Sequence, residues 1–260
     1  MKITTWNVNS LTARLQHVLD WLAANPVDLL CLQELKMTDD KFPLEALAAA
    51  GYGHCAVFGQ KTYNGVAILS RQPVDDVARN ITGFEDEHSR VIAVTVQGPG
   101  GPLRVINGYF VNGQEPGSEK FGYKMRWLDG LQAYVAAELA RHPRLVLVGD
   151  FNITPEDRDS FDPVGLKETI HHTVEERDHF SRLLALGLAD SFRMFEQPEK
   201  SFSWWDYRML GYQKNRGLRI DHVLVSKALE PLVKSCSIDR APRKWEKPSD
   251  HAPVTVTVEI

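Results

Sequence analysis

The chain is poor in cysteine: Cys31, Cys55 and Cys236 are all it has in 260 residues. The number is odd and the spacing wide, which argues against a disulfide framework and a thiolate zinc cluster. Their settings, such as Leu30-Cys31-Leu32, read as ordinary buried thiols of a reducing compartment. An excess of positive charge is missing too. Thirty Lys and Arg against 34 Asp and Glu give a formal net charge of −4, so any phosphate recognition needs a local basic face. No apolar run approaches membrane-spanning length. No positive segment followed by an apolar stretch opens the sequence, so no export signal is expected and the cytoplasm is the expected compartment. No Pro/Gly/Ser-rich linker and no long charge run divides it, so residues 1–260 are expected to form one domain.

What is present is a series of short apolar strands that end in polar side chains. Residues 3–8 read as a strand, and Leu11, Leu15, Val18, Leu19 and Leu22 then recur at helical spacing up to Pro26. Residues 29–32 form an apolar strand followed by Gln33-Glu34, and residues 66–69, 91–96 and 104–110 are further strands. A long helix is expected over 120–141, with Met125, Leu128, Leu131, Val135 and Leu139 on one face. Residues 145–148 are a buried strand running into Gly149-Asp150-Phe151-Asn152. A helix over 175–186 and strands over 201–207, 219–225 and 253–258 complete the pattern. Strands outnumber helices, and the long helices fall between groups of strands. This predicts an α/β fold of two sheets packed on each other with helices outside. Each half runs strand, helix, strand and then hairpins, a hint of duplication.

Carboxylates, amides and an imidazole gather at these strand ends: Asn7 with Asn9, Glu34, Asp150 with Asn152, Asp221, and Asp250 with His251. Oxygen donors of this kind suit a hard divalent cation, which takes a few protein ligands and leaves room for water and phosphate. Taken singly, each has a plainer reading. Asn7, Asn9 or Ser10 could cap the following helix, Glu34 could be an exposed strand end, Asp150 a turn residue, and His251 a surface histidine. Asp221 is harder to explain so, because a carboxylate inside the apolar run Leu218 to Leu224 is costly unless paired.

At these residues the chain resembles the exonuclease III family of DNA-repair nucleases and AP endonucleases, within the endonuclease/exonuclease/phosphatase superfamily. The matching stretches are Trp6-Asn7-Val8-Asn9-Ser10, Leu32-Gln33-Glu34-Leu35-Lys36, Tyr63-Asn64-Gly65-Val66-Ala67, Asn107-Gly108-Tyr109-Phe110, Gly149-Asp150-Phe151-Asn152-Ile153, Asn215-Arg216-Gly217-Leu218-Arg219-Ile220-Asp221 and Lys247-Pro248-Ser249-Asp250-His251-Ala252-Pro253. They run end to end in the family's order. The resemblance implies a four-layered α/β sandwich with two packed mixed β-sheets flanked by helices. It also implies Mg²⁺-dependent phosphodiester hydrolysis, with Mn²⁺ a suitable substitute, on double-stranded DNA carrying 3′ ends, nicks or abasic sites, by a monomer.

Carried over by position, the metal environment comprises Asn7, Glu34, Asp150, Asn152, Asp250 and His251, with Glu34 as ligand. Asp150 would orient or deprotonate the attacking water, Asn152 hold the water or phosphate, and His251, oriented by Asp221, bind a phosphate oxygen. Tyr109 would contact the phosphate or steady the leaving oxygen. DNA contacts are expected from Lys36, Tyr63, Asn64, Asn112, Lys120, Lys124, Arg208, Lys214 and Arg216. Trp204, Leu218 and Ile220 match an apolar pocket for an extrahelical sugar, the plainer reading being core packing.

The loop Thr169-Ile170-His171-His172-Thr173 departs from the pattern. Relatives that cut at abasic sites carry a small residue where His171 stands. His171 is therefore expected to narrow the site against an internal abasic nucleotide while leaving 3′ termini access. That tilts the expected activity toward 3′→5′ exonuclease, 3′-phosphodiesterase and 3′-phosphatase work; the alternative is an ordinary AP endonuclease cutting 5′ to abasic sites. A phosphoesterase acting on RNA tails or inositol phosphates would keep the metal centre but lack the DNA-facing loops. A catalytically dead binding module would have lost one of Glu34, Asp150, Asn152, Asp221 or His251, and all are present.

Overall fold

Alternation in the central strands decides the layering. A computed structural model describes residues 1–260. In chain order its elements are β1 (Lys2–Asn7), α1 (Leu11–Ala24), β2 (Leu29–Gln33), α2 (Leu44–Ala49), β3 (His54–Phe58), β4 (Val66–Ser70), β5 (Val74–Arg79), β6 (Val91–Gly98) and β7 (Gly101–Tyr109), followed by α3 (Glu119–Arg141) and β8 (Leu145–Asp150). The chain continues with α4 (Val174–Ala185), β9 (Leu188–Asp190), β10 (Trp204–Trp205), β11 (Gly217–Leu218), β12 (Asp221–Ser226), β13 (Val233–Ile238) and β14 (Val254–Val258). One six-stranded sheet has the order β13-β14-β1-β2-β4-β3 and the other β5-β6-β7-β8-β12-β9.

Ile3, Leu29 and Cys31 of the first sheet meet Val105, Val146, Val148 and Val223 of the second in one apolar layer between the sheets. The opposite faces are covered separately. Leu30 and Leu32 pack under Val18, Trp21 and Leu22 of α1, and Ile106 and Leu147 under Trp127 and Leu131 of α3 and Phe180 of α4. The result is the expected four-layered sandwich. The hint of duplication has a structural counterpart: β1 and β2 are a parallel pair joined through α1, and β7 and β8 a parallel pair joined through α3.

The expected helices over 120–141 and 175–186 are α3 and α4, each displaced by one residue at its start. The helix after β1 is capped by Ser10, whose hydroxyl accepts from the Ala13 amide. The expected strand over 201–207 shrinks to Trp204–Trp205, because its neighbours pair with irregular backbone: Ser203 N donates to Leu218 O, Trp205 N to Asp250 O, and Ala252 N to Ser203 O. The strand expected over 219–225 starts at Asp221, since Arg219 N donates out of the sheet to Asp159 O.

Behind the site, His222 of β12 is fully buried against Phe151 and Phe180. Arg219 Nη1 donates to its Nδ1 at 2.9 Å, and its Nε2 donates to Ile153 O at 3.0 Å. That pattern requires the neutral ring. Burial first, then the Arg219 charge, lowers its pKa from 6.5 to about 4. The unfolded chain therefore takes up this proton before the folded one, so the neutral ring's stabilisation is complete above about pH 6.5 and is lost as pH falls toward 4. Urea unfolding should show a His222 contribution smaller by about 2 kcal/mol at pH 5 than at pH 7. A pH-independent difference between wild type and His222→Gln over that window would contradict this.

Candidate active site

The register of each sheet delivers polar groups to one edge. Tyr109 faces Asp150 across β7–β8, and Asp150 faces Asp221 across β8–β12. In the other sheet Asn7 ends β1 beside Gln33 at the end of β2, with Glu34 next in the chain. Thr5 pairs with Val254, so the approach to β14 that carries Asp250 and His251 passes the same end of β1. Asn7 joins the two sheets: its Nδ2 donates to Glu34 Oε1 and to Asp150 Oδ2, both at 2.9 Å. Glu34 and Asn152 leave their strands in the left-handed region, with φ of 54° and 51°. Ser249 fastens the C-terminal approach, its Oγ donating to Asn7 O at 2.7 Å and accepting from the His251 amide.

His251 Nδ1 donates to Asp221 at 2.9 Å, which leaves Nε2 facing Asp150 Oδ2 at 3.6 Å. All three side chains are buried. Burial alone disfavours an imidazolium, but the Asp221 and Asp150 carboxylates outweigh it and hold the His251 pKa well above its ordinary value. Burial likewise pushes the Asp150 carboxyl up, against the opposing pull of His251. Tyr109 is raised by burial and then by Glu34 and Asp150, so its hydroxyl keeps its proton.

Glu34, Asp150 and His251 present ligand atoms within 4.8 Å of one another. With Asp221 behind them, three carboxylates stand against one imidazolium and leave net negative charge. The donors free for a cation are the two carboxylates, without sulfur, since the imidazolium has no lone pair to offer; Cys31 and Cys236 lie in the inter-sheet core. This suits a hard divalent cation. Of the other expected metal-site residues, Asn7 holds the two carboxylates in place. Asp250 lies outside the trio, with Oδ1 accepting from Asn9 at 3.0 Å and Oδ2 from Trp204 Nε1 at 2.9 Å. Asn152 N donates to Asp150 Oδ1 at 3.0 Å, and its Oδ1 accepts from Asn112 Nδ2 at 3.1 Å.

A groove of about 900 Å³ opens beside the trio. Lys36, Tyr63, Asn64, Asn112 and Lys120 line it, as does Tyr109. Glu85, Asp86 and Glu87 also line it, which makes part of the groove acidic. Lys214 and Arg216 line a separate cleft of about 340 Å³ with Phe161 and Lys200. Arg208 is exposed and doubly bonded to Asp206.

Lys124 needs correction as a surface DNA contact. It is fully buried, paired with Glu176, because the start of α3 lies under the loops that follow β7 and β8. The apolar pocket also changes character. Leu218 and Ile220 are 3% and 2% exposed and belong to the interior, because Trp204 pairs over Leu218. Trp204 alone of the three keeps an accessible face. His171 does not point to solvent. It is 8% exposed, and its Nδ1 meets Asn152 O at 2.7 Å. Burial, then Lys124, lowers its pKa to about 3, so the ring is neutral.

Sequence reasoning missed Arg90. Its guanidinium lies 5.2 Å over the Tyr109 ring, donates to Tyr109 O and lines the groove. Nothing in the local pattern Ser89-Arg90-Val91 marks it. Gln33 and Asn107, which carry no charge and stand out only as members of their motifs, bridge the sheets, Gln33 Nε2 donating to Asn107 Oδ1 at 2.7 Å.

The model of the Endonuclease/Exonuclease/phosphatase family matches residues 4–251. Exodeoxyribonuclease III of Haemophilus influenzae is 37% identical, over 98% of each chain. Solved structures of NExo from Neisseria, one described as a 3′-5′ exonuclease and one as a 3′ phosphatase bound to product DNA hairpin, are 49% identical with a TM-score of 0.96 and full coverage of both chains. An AP endonuclease from Archaeoglobus fulgidus is 34% identical with a TM-score of 0.94, again over both full chains.

Proposed function

This chain belongs to the endonuclease/exonuclease/phosphatase family and is a DNA-repair nuclease of the exonuclease III type, and from that premise we propose that it hydrolyses phosphate esters at DNA 3′ ends with a divalent cation, in preference to internal abasic sites. The observation that carries the preference is His171. It adopts φ 73°, a left-handed conformation in which a glycine would be unstrained, and its ring is wedged against the backbone of Asn152. A side chain held there at a strain of about 1–2 kcal/mol bears on the backbone of Asn152, the residue read as holding the water or phosphate, and in this reading stiffens that side of the site against an internal abasic nucleotide. The likeness to NExo, described as a 3′-5′ exonuclease and 3′ phosphatase, supports the same direction.

Glu34 and Asp150 would hold Mg²⁺ or Mn²⁺ through their carboxylates, which Asn7 fixes, with the His251 imidazolium beside them facing the phosphate. When bound, such an ion supplies charge neutralisation at the phosphate. Asp150 accepts the proton of the attacking water, whose oxygen forms the new bond to phosphorus as the bond to the 3′ oxygen breaks. Asn152 holds the water or a phosphate oxygen through its amide. Protonated His251 donates from Nε2 to a phosphate oxygen, and Asp221 keeps its Nδ1 protonated and the ring in register. Tyr109, still protonated, donates to the departing oxygen. Lys36, Tyr63, Asn64, Asn112 and Lys120 contact the DNA along the groove, with Lys214 and Arg216 gripping it at the second cleft.

His171→Gly tests the preference. With Mg²⁺, cleavage at an internal abasic analogue should rise at least about tenfold relative to removal of a 3′-phosphate at a nick, since one cleared side chain is worth roughly 1.4 kcal/mol or more in discrimination. An unchanged ratio would remove His171 from the specificity mechanism.

A further inference from the structure

Lys124 uses all three of its N–H donors below the surface. Its Nζ donates to Asn152 O at 2.7 Å, to Asn112 O at 3.1 Å and to the Glu176 carboxylate in a close ion pair. Both side chains of the pair are completely inaccessible to solvent. Glu176 uses its other oxygen to accept from Thr173 N at 3.1 Å and Thr173 Oγ1 at 2.9 Å, at the start of α4. The pair thus meets the loops after β7 and β8 and the loop that carries His171.

If the pair served only to hold these elements together, apolar residues of similar volume would do as well, because desolvating two charges offsets most of their attraction. An apolar residue cannot donate to the two carbonyls. The residues whose carbonyls Lys124 grips are the two whose side chains bond each other: Asn112 Nδ2 donates to Asn152 Oδ1. Asn152 is in the left-handed region, and its carbonyl receives a second donor from His171. Its Nδ2 is aligned on Phe110 O at 3.1 Å. Turning the Asn152 backbone out of its left-handed conformation would break the carbonyl bonds and carry its side chain off Asn112 and Phe110.

We infer that Lys124, held by Glu176, is a positioning residue: it sets the Asn152 backbone, and through it the side-chain amide that meets the reacting phosphate. The inference rests on the reading of Asn152 as a residue that touches water or phosphate. Misplacing a reacting group by about 1 Å costs on the order of 100-fold in rate without a matching loss of affinity.

Lys124→Met, Lys124→Arg, the double variant Lys124→Met/Glu176→Leu and Asn152→Ala should be compared on a nicked duplex with a 3′-phosphate and Mg²⁺. Lys124→Met is expected to lower kcat roughly 10–100-fold with KM within about threefold. Lys124→Arg should recover most of the rate, because a guanidinium also offers several fixed donors. The double variant leaves no unpaired charge, so it should fold even where Lys124→Met does not, and it should keep the low kcat. A double variant with wild-type kcat would overturn the inference and reduce the pair to a structural tie. A loss confined to KM would overturn it also. Asn152→Ala with an unimpaired kcat would instead sink the reading of Asn152 itself, whatever the Lys124 variants do.

Discussion

Asp150→Asn is expected to lower kcat by about 10³-fold, the range for losing a general base in a buried site, while the protein stays as stable as wild type or becomes more so. The two halves of this result have one cause. Asp150 is buried, and burial raises its carboxyl pKa, so the fold carries a cost to keep a charge there. Asn has nearly the same shape and removes that charge; its single carbonyl oxygen keeps one of the two bonds, from Asn7 to Oδ2 or from the Asn152 amide to Oδ1, and the loss of the other is offset by relief of the buried charge. It cannot take a proton from water. Steady-state kinetics and a urea titration of the same preparation check both halves. A variant within tenfold of wild-type kcat would remove Asp150 from proton transfer. A large loss of stability would show that the carboxylate is chiefly structural.

Removing the divalent cation is expected to abolish hydrolysis, and adding Mg²⁺ or Mn²⁺ to restore it. Glu34 tells whether the trio is the site concerned. Its Oε1 accepts from Asn7, its Oε2 lies 2.9 Å from Lys36 Nζ, and it shares the 4.8 Å cluster with Asp150 and His251. Glu34→Gln keeps a carbonyl for Asn7 but halves the carboxylate charge of the trio. Rate measured against Mg²⁺ concentration should shift to at least about tenfold higher concentration, since even residues that only orient ligands are worth 10–100-fold. Activity that survives EDTA would contradict the metal assignment outright. An unchanged Mg²⁺ dependence in Glu34→Gln would move the cation away from this cluster.

The features legible in the sequence were those where pattern and burial agree. β2, β4 and β8 are short apolar runs because both faces of each are covered, and their polar ends therefore stood out. Asp221 was legible for the opposite reason: a carboxylate in an apolar run demands a partner, and the partner is His251. The sheet margins were not legible. β5 carries Asp75 and Asp76 at an exposed edge, where charge discourages pairing with other chains and erases the strand signature. β9 has three residues, too few to show a period. α2 is a six-residue helix of Ala, Leu and Glu without a side-chain cap. Lys124 misled because its burial is set by α4, whose Glu176 lies 52 residues further along the chain. The positive φ of His171 left no trace in its own letters; only the contrast with a small residue in relatives of that family pointed to it.

The most direct test of the central claim uses the wild-type protein with Mg²⁺ on two labelled duplexes. One carries an internal abasic-site analogue and the other a nick ending in a 3′-phosphate. The account predicts removal of the 3′-phosphate at a rate at least about tenfold above incision at the abasic analogue, corresponding to about 1.4 kcal/mol of discrimination. Incision of the abasic duplex at an equal or greater rate would contradict it, and would identify an AP endonuclease in which His171 leaves the sugar's path open.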